Sequence, residues 1–202
     1  GKSAAQVASG MGSEVCILDA NASRVANLSR EFAQDRGTSE NVKTAVFSTE
    51  LLLGKLADCD LLIGATLMAG EHAAHLLNAE YLASMNGGVF IDIAIDQGGI
   101  SETSRATTYA DPVYLEAGVL HCCLPNLPAC VPLSATRALT HATFPFIQLL
   151  ADEGIEAAVR GNAEVNIALA RGVNTWDGHI THPGVAHAMN QTCTALSDLF
   201  KA

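Results

Sequence analysis

An α/β fold on a mostly parallel sheet is the class that this sequence predicts, and three observations carry the prediction. Short apolar runs of strand length alternate with helix-length amphipathic segments, the pattern of successive βαβ units. The composition is 49% hydrophobic but only 5% aromatic, so the core is aliphatic, as suits parallel strands covered by helices on both faces. Finally, the apolar run Val89 to Ile95 carries Asp92, is followed at once by Asp96, and enters a Gly98-Gly99 turn with small hydroxyl and charged residues behind it. In open α/β sheets ligands bind at the carboxyl edge of the strands. Acids at such an edge either cap loops or mark a site, and the paired acids and glycines favour the site.

The elements follow in order. The first twelve residues read as a helix with Ala4, Ala5, Val7 and Ala8 as its packing face, stopped by Gly10-Met-Gly12. A strand over Glu14 to Leu18 ends at Asp19, an amphipathic helix runs from Ser23 to Gln34, and residues 35 to 41 form a loop. Lys43 to Phe47 is a strand, Glu50 to Ala57 a helix and Asp60 to Ala65 a continuously apolar strand. Asn78 is suited to cap a helix through Met85, because its side chain can accept from the free amides of the first turn. Asn86-Gly-Gly88 turns the chain into the strand Val89 to Ile95, and Val119 to Leu124 is a further strand. Pro125 to Pro132 reads as a hinge, and beyond it helices are expected over Ser134 to Asp152, Ala163 to Ala170 and Val185 to Phe200. The expected division is an α/β sheet domain over residues 1–130 and a C-terminal helical segment over 131–202.

The formal net charge of −10 and the lack of a basic run speak against nucleic acid and anionic membranes as partners. No apolar run reaches membrane-spanning length, and the opening Gly1-Lys-Ser-Ala lacks signal-peptide character. Six cysteines without a CxxC pair are expected to be reduced and buried, as in a cytoplasmic protein. His179, His182 and His187 are close in sequence, but their Gly178 and Pro183 flanks point to solvated surface rather than a metal site.

Asp19 ends a strand that follows a small-residue helix. In dinucleotide-binding βαβ units an acid there accepts both ribose hydroxyls of the adenosine half and repels a 2′-phosphate, favouring NAD over NADP. The eighteen-residue offset from Gly1 to Asp19 suits the last glycine of the fingerprint whose amides hold the pyrophosphate. The expectation is therefore a doubly wound sheet with its first strand missing, in a fragment of a longer chain. Residues 1 to 202 expressed alone should be aggregated or molten.

With these residues on view, the chain resembles the L-alanine dehydrogenases of the alanine dehydrogenase and pyridine nucleotide transhydrogenase family. The resemblance is carried by Gly1-x-x-Ala4-Ala5, Gly10-Met-Gly12, Ile17-Leu-Asp19, Asp60-Leu-Leu-Ile-Gly-Ala65, Ile91-Asp-Ile-Ala-Ile-Asp-Gln-Gly-Gly99 and Thr107-Thr-Tyr-Ala-Asp-Pro112. It continues through Asn126-Leu-Pro128, Val131-Pro132 and Ala138-Leu-Thr-His-Ala-Thr-Phe-Pro145, and covers nearly the whole chain. It implies a Rossmann-type sheet, oxidative deamination of L-alanine to pyruvate and ammonium with NAD as hydride acceptor, and a homo-hexamer. By the same resemblance Asp96 is the active-site acid, Asp19 the ribose acid, Arg24 the base near the adenosine and Ser48 a neighbour of the adenine. Gly1 matches the fingerprint, Leu67 lies along the cofactor, and Ile93 to Asp96 with Leu124, Asn126 and Leu127 flank the nicotinamide. The residues themselves leave Asp92 and Asp96 undecided, since a regular strand places two acids four apart on one face; the resemblance selects Asp96. The substrate-binding arginine and lysine and the catalytic histidine of the family belong to an N-terminal domain that this sequence does not contain.

Pro125, Leu127 and His141 depart from the family's usual alanine, methionine and asparagine, and residues 35 to 41 read as a short insertion. Three rival readings remain: the nucleotide-binding subunit of a proton-translocating transhydrogenase, whose corresponding strand typically ends in glutamate; more distantly, a lysine- or ornithine-type opine dehydrogenase; and a non-catalytic NAD-binding module.

Overall fold

A computed structural model describes residues 1–34, 41–66 and 75–200. The described residues up to Pro125 belong to one compact unit and those from Asn126 onwards to a second.

In the first unit, helix α1 (Lys2–Gly10) leads into strand β1 (Val15–Asp19), helix α2 (Ala22–Gln34) and strand β2 (Val42–Val46). β1 and β2 pair in parallel from Val15↔Val42 to Asp19↔Val46. Helix α3 (Thr49–Leu56), strand β3 (Leu61–Gly64), helix α4 (Ala79–Ala83) and strand β4 (Val89–Asp92) follow. Asn78 caps α4 as its sequence suggested, Oδ1 accepting from the Tyr81 amide at 2.8 Å. β3 pairs with β4 in parallel, Gly64 opposite Asp92, and β4 with β6 (Val119–Cys122), also in parallel. A short strand β5 (Tyr114–Glu116), not foreseen, joins β6 antiparallel through Ala117-Gly118. Both turn residues have positive φ, 49° and 76°, the two-residue geometry that matches the twist of paired strands.

The sheet thus falls into two pieces, β1-β2 and β3-β4-β6-β5. The main core gathers Leu52, Leu56, Leu77, Leu82, Met85, Phe90, Ile100 and Val119, with Leu18 and Phe47 packed against it. A smaller cluster of Ala5, Leu28 and Phe32 sits under β1 and β2 with Val15, Ile17 and Val42. Burial of these aliphatic side chains, about 1.5–3 kcal/mol for each large one, supplies the main driving force.

The expected strand over Val89 to Ile95 is corrected. It ends at Asp92, and Ile93–Gln97 form a 3₁₀ turn. The cause is local. Asp92 Oδ1 accepts from the Ala94 amide at 3.0 Å, a side-chain cap that competes with continuing the ladder. Asp92 and Asp96 therefore do not share a strand face.

The second unit begins with a 3₁₀ turn over Leu127–Cys130, then α5 (Pro132–Glu153), α6 (Ile155–Arg160) and α7 (Glu164–Arg171). The last expected helix, Val185 to Phe200, is also corrected. It is two short helices, α8 (Pro183–Ala188) and α9 (Leu196–Leu199), separated where Asn190 turns left-handed at φ 51°. Before them lies a hairpin of β7 (Thr175–Trp176) and β8 (His179–Ile180), turned by Asp177-Gly178 with φ 45° and 76°. His182 accepts from the Val185 amide through Nδ1 at 3.4 Å and so caps α8.

The cysteines correct a third expectation. All six are free, but only Cys123 is buried; Cys16, Cys130 and Cys193 are exposed. Burial pushes the Cys123 thiol up, which keeps it from the reactive thiolate form. No helix among the described residues is long and apolar enough to cross a membrane.

Candidate functional site

Asp19, Ser48, Ile93, Asp96 and Leu124 lie at or just past the carboxyl ends of parallel strands, while Gly1 starts α1 and Arg24 lies on α2. Asp19 ends β1, and its carbonyl accepts from the Phe47 amide at 3.0 Å just past β2. Its carboxylate is structured on both oxygens: Oδ1 accepts from the Asn21 amide at 2.8 Å, and Oδ2 pairs with Arg24 Nη1 at 3.3 Å. The structure thus brings Asp19 and Arg24 together. Arg24 is 67% exposed against 22% for the aspartate, so this partner can be displaced at little cost. Ser48 follows β2 and caps α3, Oγ accepting from the Leu51 amide at 3.2 Å.

Gly1 starts α1 without a side-chain cap, leaving the first-turn amides to other acceptors. An added Cβ on Gly1 would stand 3.4 Å from Ala65 Cβ, beyond the end of β3. Ile93 and Asp96 are exposed on the turn after β4, and buried Leu124 follows β6. Asn126 and Leu127 belong to the second unit, where Asn126 is left-handed at φ 53° and opens the Leu127–Cys130 turn. Leu67 lies outside the described residues.

Asp92 is the strand-end acid that the structure buries, at 1% exposure. Besides Ala94, its carboxylate accepts from the Ile100 amide at 2.8 Å and the Ser104 hydroxyl at 2.6 Å, both on Oδ2. The turn therefore leaves Asp92 and returns to it. Gly98 and Gly99 make the return at φ 99° and 83°, a conformation that side chains disfavour.

Behind the turn lies a polar layer that sequence reasoning missed. His121, fully buried, has Nε2 2.8 Å from Thr103 Oγ1 and Nδ1 2.9 Å from the Val119 carbonyl. The carbonyl can only accept, which places a proton on Nδ1. Ser101 Oγ lies 2.9 Å from Thr103 Oγ1. Tyr114 stacks on His121 at 4.9 Å, donates to the Thr103 carbonyl at 2.8 Å and accepts from the Arg105 amide at 2.9 Å. The Arg105 guanidinium sits 3.7 Å over its ring. Burial, then the contact with Cys123, pushes the Tyr114 hydroxyl up, so it serves as a fixed donor. The available signal was the hydroxyl run Ser101, Thr103, Ser104 in a loop otherwise long enough to wander.

Parallel strands joined by helices, with an acid closing β1, marked residues past the strand ends and an uncapped helix N-terminus, are the features of a Rossmann-type nucleotide-binding domain. Comparison with known proteins makes this specific. The family described as "Alanine dehydrogenase/PNT, C-terminal domain" matches residues 1–183, and the chain belongs to it. An alanine dehydrogenase of Staphylococcus haemolyticus (strain JCSC1435) is 40% identical over 203 residues, covering all of this chain and 52% of that protein. A solved L-alanine dehydrogenase aligns with TM-score 0.73 at 35% identity, covering 93% of this chain and 49% of that one. A transhydrogenase from Sinorhizobium meliloti aligns with TM-score 0.54 at 20% identity, over 77% of this chain and 49% of its own, a likeness of fold alone. The chain spans about half the length of the curated relatives it matches.

Proposed function

We propose that this chain is the nucleotide-binding half of an NAD-dependent alanine dehydrogenase, with residues 1–130 as the cofactor domain and 131–202 as the segment returning to the substrate domain. The carrying observation is the turn that presents Asp96 beyond the carboxyl end of β4, in a chain 40% identical to an alanine dehydrogenase. The transhydrogenase reading has weaker support, from a relative 20% identical.

The residues fit the cofactor. Asp19 Oδ2 can turn to a ribose diol once exposed Arg24 moves, while the Asn21 amide holds Oδ1 in place, and the uncapped N-terminus of α1 offers amides to a pyrophosphate. NAD supplies the hydride acceptor. The chain's own contribution is the carboxylate of Asp96 at the nicotinamide side. Removing hydride from alanine leaves a cationic iminium; water adds to its carbon and gives up a proton, and ammonia leaves as pyruvate forms. A carboxylate there stabilises the cation and takes the proton from the attacking water. Gly1 serves the pyrophosphate, and Asp19, Arg24 and Ser48 serve the adenosine half. Ile93 and Leu124, both in the first unit, are assigned to the nicotinamide side.

α5 leaves Leu133, Leu139, Phe144 and Ile147 more than half exposed. Apolar surface on that scale marks a contact face, which we assign to the substrate-binding part of the protein. The whole protein is read as a cytoplasmic homo-hexamer acting on L-alanine and pyruvate. The test is alanine-dependent reduction of NAD by the full-length protein; no such reduction, with the protein folded and binding NADH, overturns the reading. Within it, Asp19→Ser is expected to weaken NADH binding roughly 10- to 100-fold by loss of charge-assisted hydrogen bonds and to narrow the preference over NADPH. Fluorescence titration checks both, and an unchanged ratio of the two affinities would remove Asp19 from the ribose site.

A further inference from the structure

We propose that Asp92 is the positioning residue of Asp96: its buried carboxylate gathers both ends of the turn that carries Asp96 and so fixes where that acid points. The inference rests on the reading of Asp96 given above and extends it to a residue to which that reading gives no role.

A cap for the turn needs one acceptor, and Oδ1 provides it to the Ala94 amide at 3.0 Å. The second oxygen does something a cap does not require. It takes the Ile100 amide at 2.8 Å and the Ser104 hydroxyl at 2.6 Å, both from the far side of the turn. Asp96 lies between these anchor points, on a segment closed internally by Gly98 N–H to the Ile95 carbonyl and Gly99 N–H to the Ala94 carbonyl. Asp92 is 1% exposed, and no ion pair to it is found among the described residues. A buried carboxylate without a cation is costly unless its lone pairs are filled. Here three donors fill them, and all three come from the segment being positioned. A neutral apolar residue would pack the site without that cost, so the charge is explained by what it organises.

The surroundings are cut to admit the carboxylate. A Cβ on Gly64 would come 2.6 Å from Ile100 Cδ1 and 3.3 Å from Asp92 Oδ1, and one on Gly99 would come 2.8 Å from Asp92 Oδ2. Gly64 is the register partner of Asp92 on β3. The neighbouring strand and the returning loop thus both withhold a side chain where the carboxylate sits.

Asp92→Asn keeps the shape but puts a donor NH2 against the Ile100 amide or the Ala94 amide, whichever way it turns. The experiment uses the full-length enzyme with Asp92→Asn, Ser104→Ala and Asp96→Asn, singly and paired with Asp96→Asn. Turnover, KM for alanine and NADH affinity are measured for each. Misplacing a reacting group by about 1 Å costs roughly a hundredfold in rate. Asp92→Asn should therefore lower kcat about a hundredfold and Ser104→Ala several-fold, with NADH affinity within about twofold. Both losses should vanish in the Asp96→Asn background, because a residue acting through Asp96 has nothing left to position. Losses that multiply with that of Asp96→Asn, or unchanged kcat in the single variants, overturn the proposal. If Asp92→Asn does not fold, Ser104→Ala carries the same test through one donor only. Near-normal turnover in Asp96→Asn itself overturns the underlying reading of Asp96. Additive losses beside a disabled Asp96→Asn overturn the positioning role alone.

Discussion

Asp96→Asn in the full-length protein is expected to lower alanine-dependent turnover roughly a thousandfold, with NADH affinity changed by no more than a few-fold. The amide has the size of the carboxylate but cannot take a proton or balance a positive charge, so what is lost is specific to the transition state. General acid–base assistance contributes about 10²–10⁴-fold and local charge stabilisation a similar amount, and a group supplying both sets the scale. Binding should survive because Asp96 lies on the turn after β4, whereas the adenosine half is assigned to Asp19 after β1. Steady-state kinetics together with NADH titration check the split. Near-normal turnover, or a loss that lies wholly in nucleotide binding, would refute the role.

The second large effect is expected from Gly99→Ala. Gly99 has φ +83°, and an added Cβ would stand 2.6 Å from Ser104 Cβ and 2.8 Å from Asp92 Oδ2. Neither neighbour is the loose end of a long side chain: one is next to backbone, the other is buried. The left-handed conformation alone costs a non-glycine residue roughly 1–3 kcal/mol, and the clash must displace the turn besides. Gly118→Ala is the internal control. Its φ is +76° but nothing lies within 4 Å of the new Cβ, so it bears only the backbone cost. In the full-length protein, Gly99→Ala should lower the unfolding temperature by several degrees more than Gly118→Ala and abolish turnover. Equal shifts in the two variants, with activity kept, would mean that the crowding around Gly99 is not felt.

Much of this was legible in the chain because its signals are local. Val15 to Asp19 and Leu61 to Gly64 are short apolar runs set between helices, and Asn78 stands where a cap belongs. The turn carrying Asp96 was hidden, because Ile93-Ala-Ile95 prolongs the hydrophobicity of the strand. Hydrophobicity does not separate a strand from a 3₁₀ turn; a carboxylate taking the Ala94 amide does. The sequence marked Asp92 as a strand-end acid, but not its partners Ile100 and Ser104, which lie 8 and 12 residues away. The β7–β8 hairpin is different. Asp177-Gly178 is a strong hairpin signal, but the strands it joins are two residues long and too short to show an alternation of their own. The break between α8 and α9 falls in Asn190-Gln-Thr-Cys-Thr194, a run poor in helix formers.

The division of the sheet bears on how the first unit holds together. The β1-β2 pair has its own small cluster around Ala5, Leu28 and Phe32, while the four-stranded piece is built on Phe90, Leu82 and Val119. Among the described residues, Leu18 and Phe47 reach from the first set to the second. Segments with separate cores open as separate cooperative units, each with its own free energy. On the proposed reading the adenosine half of the nucleotide rests on one such unit and the nicotinamide half on the other. A ligand that binds only when both are closed stabilises both by mass action. The dinucleotide would then be more than a reactant: it would be the tie that makes two foldons behave as one.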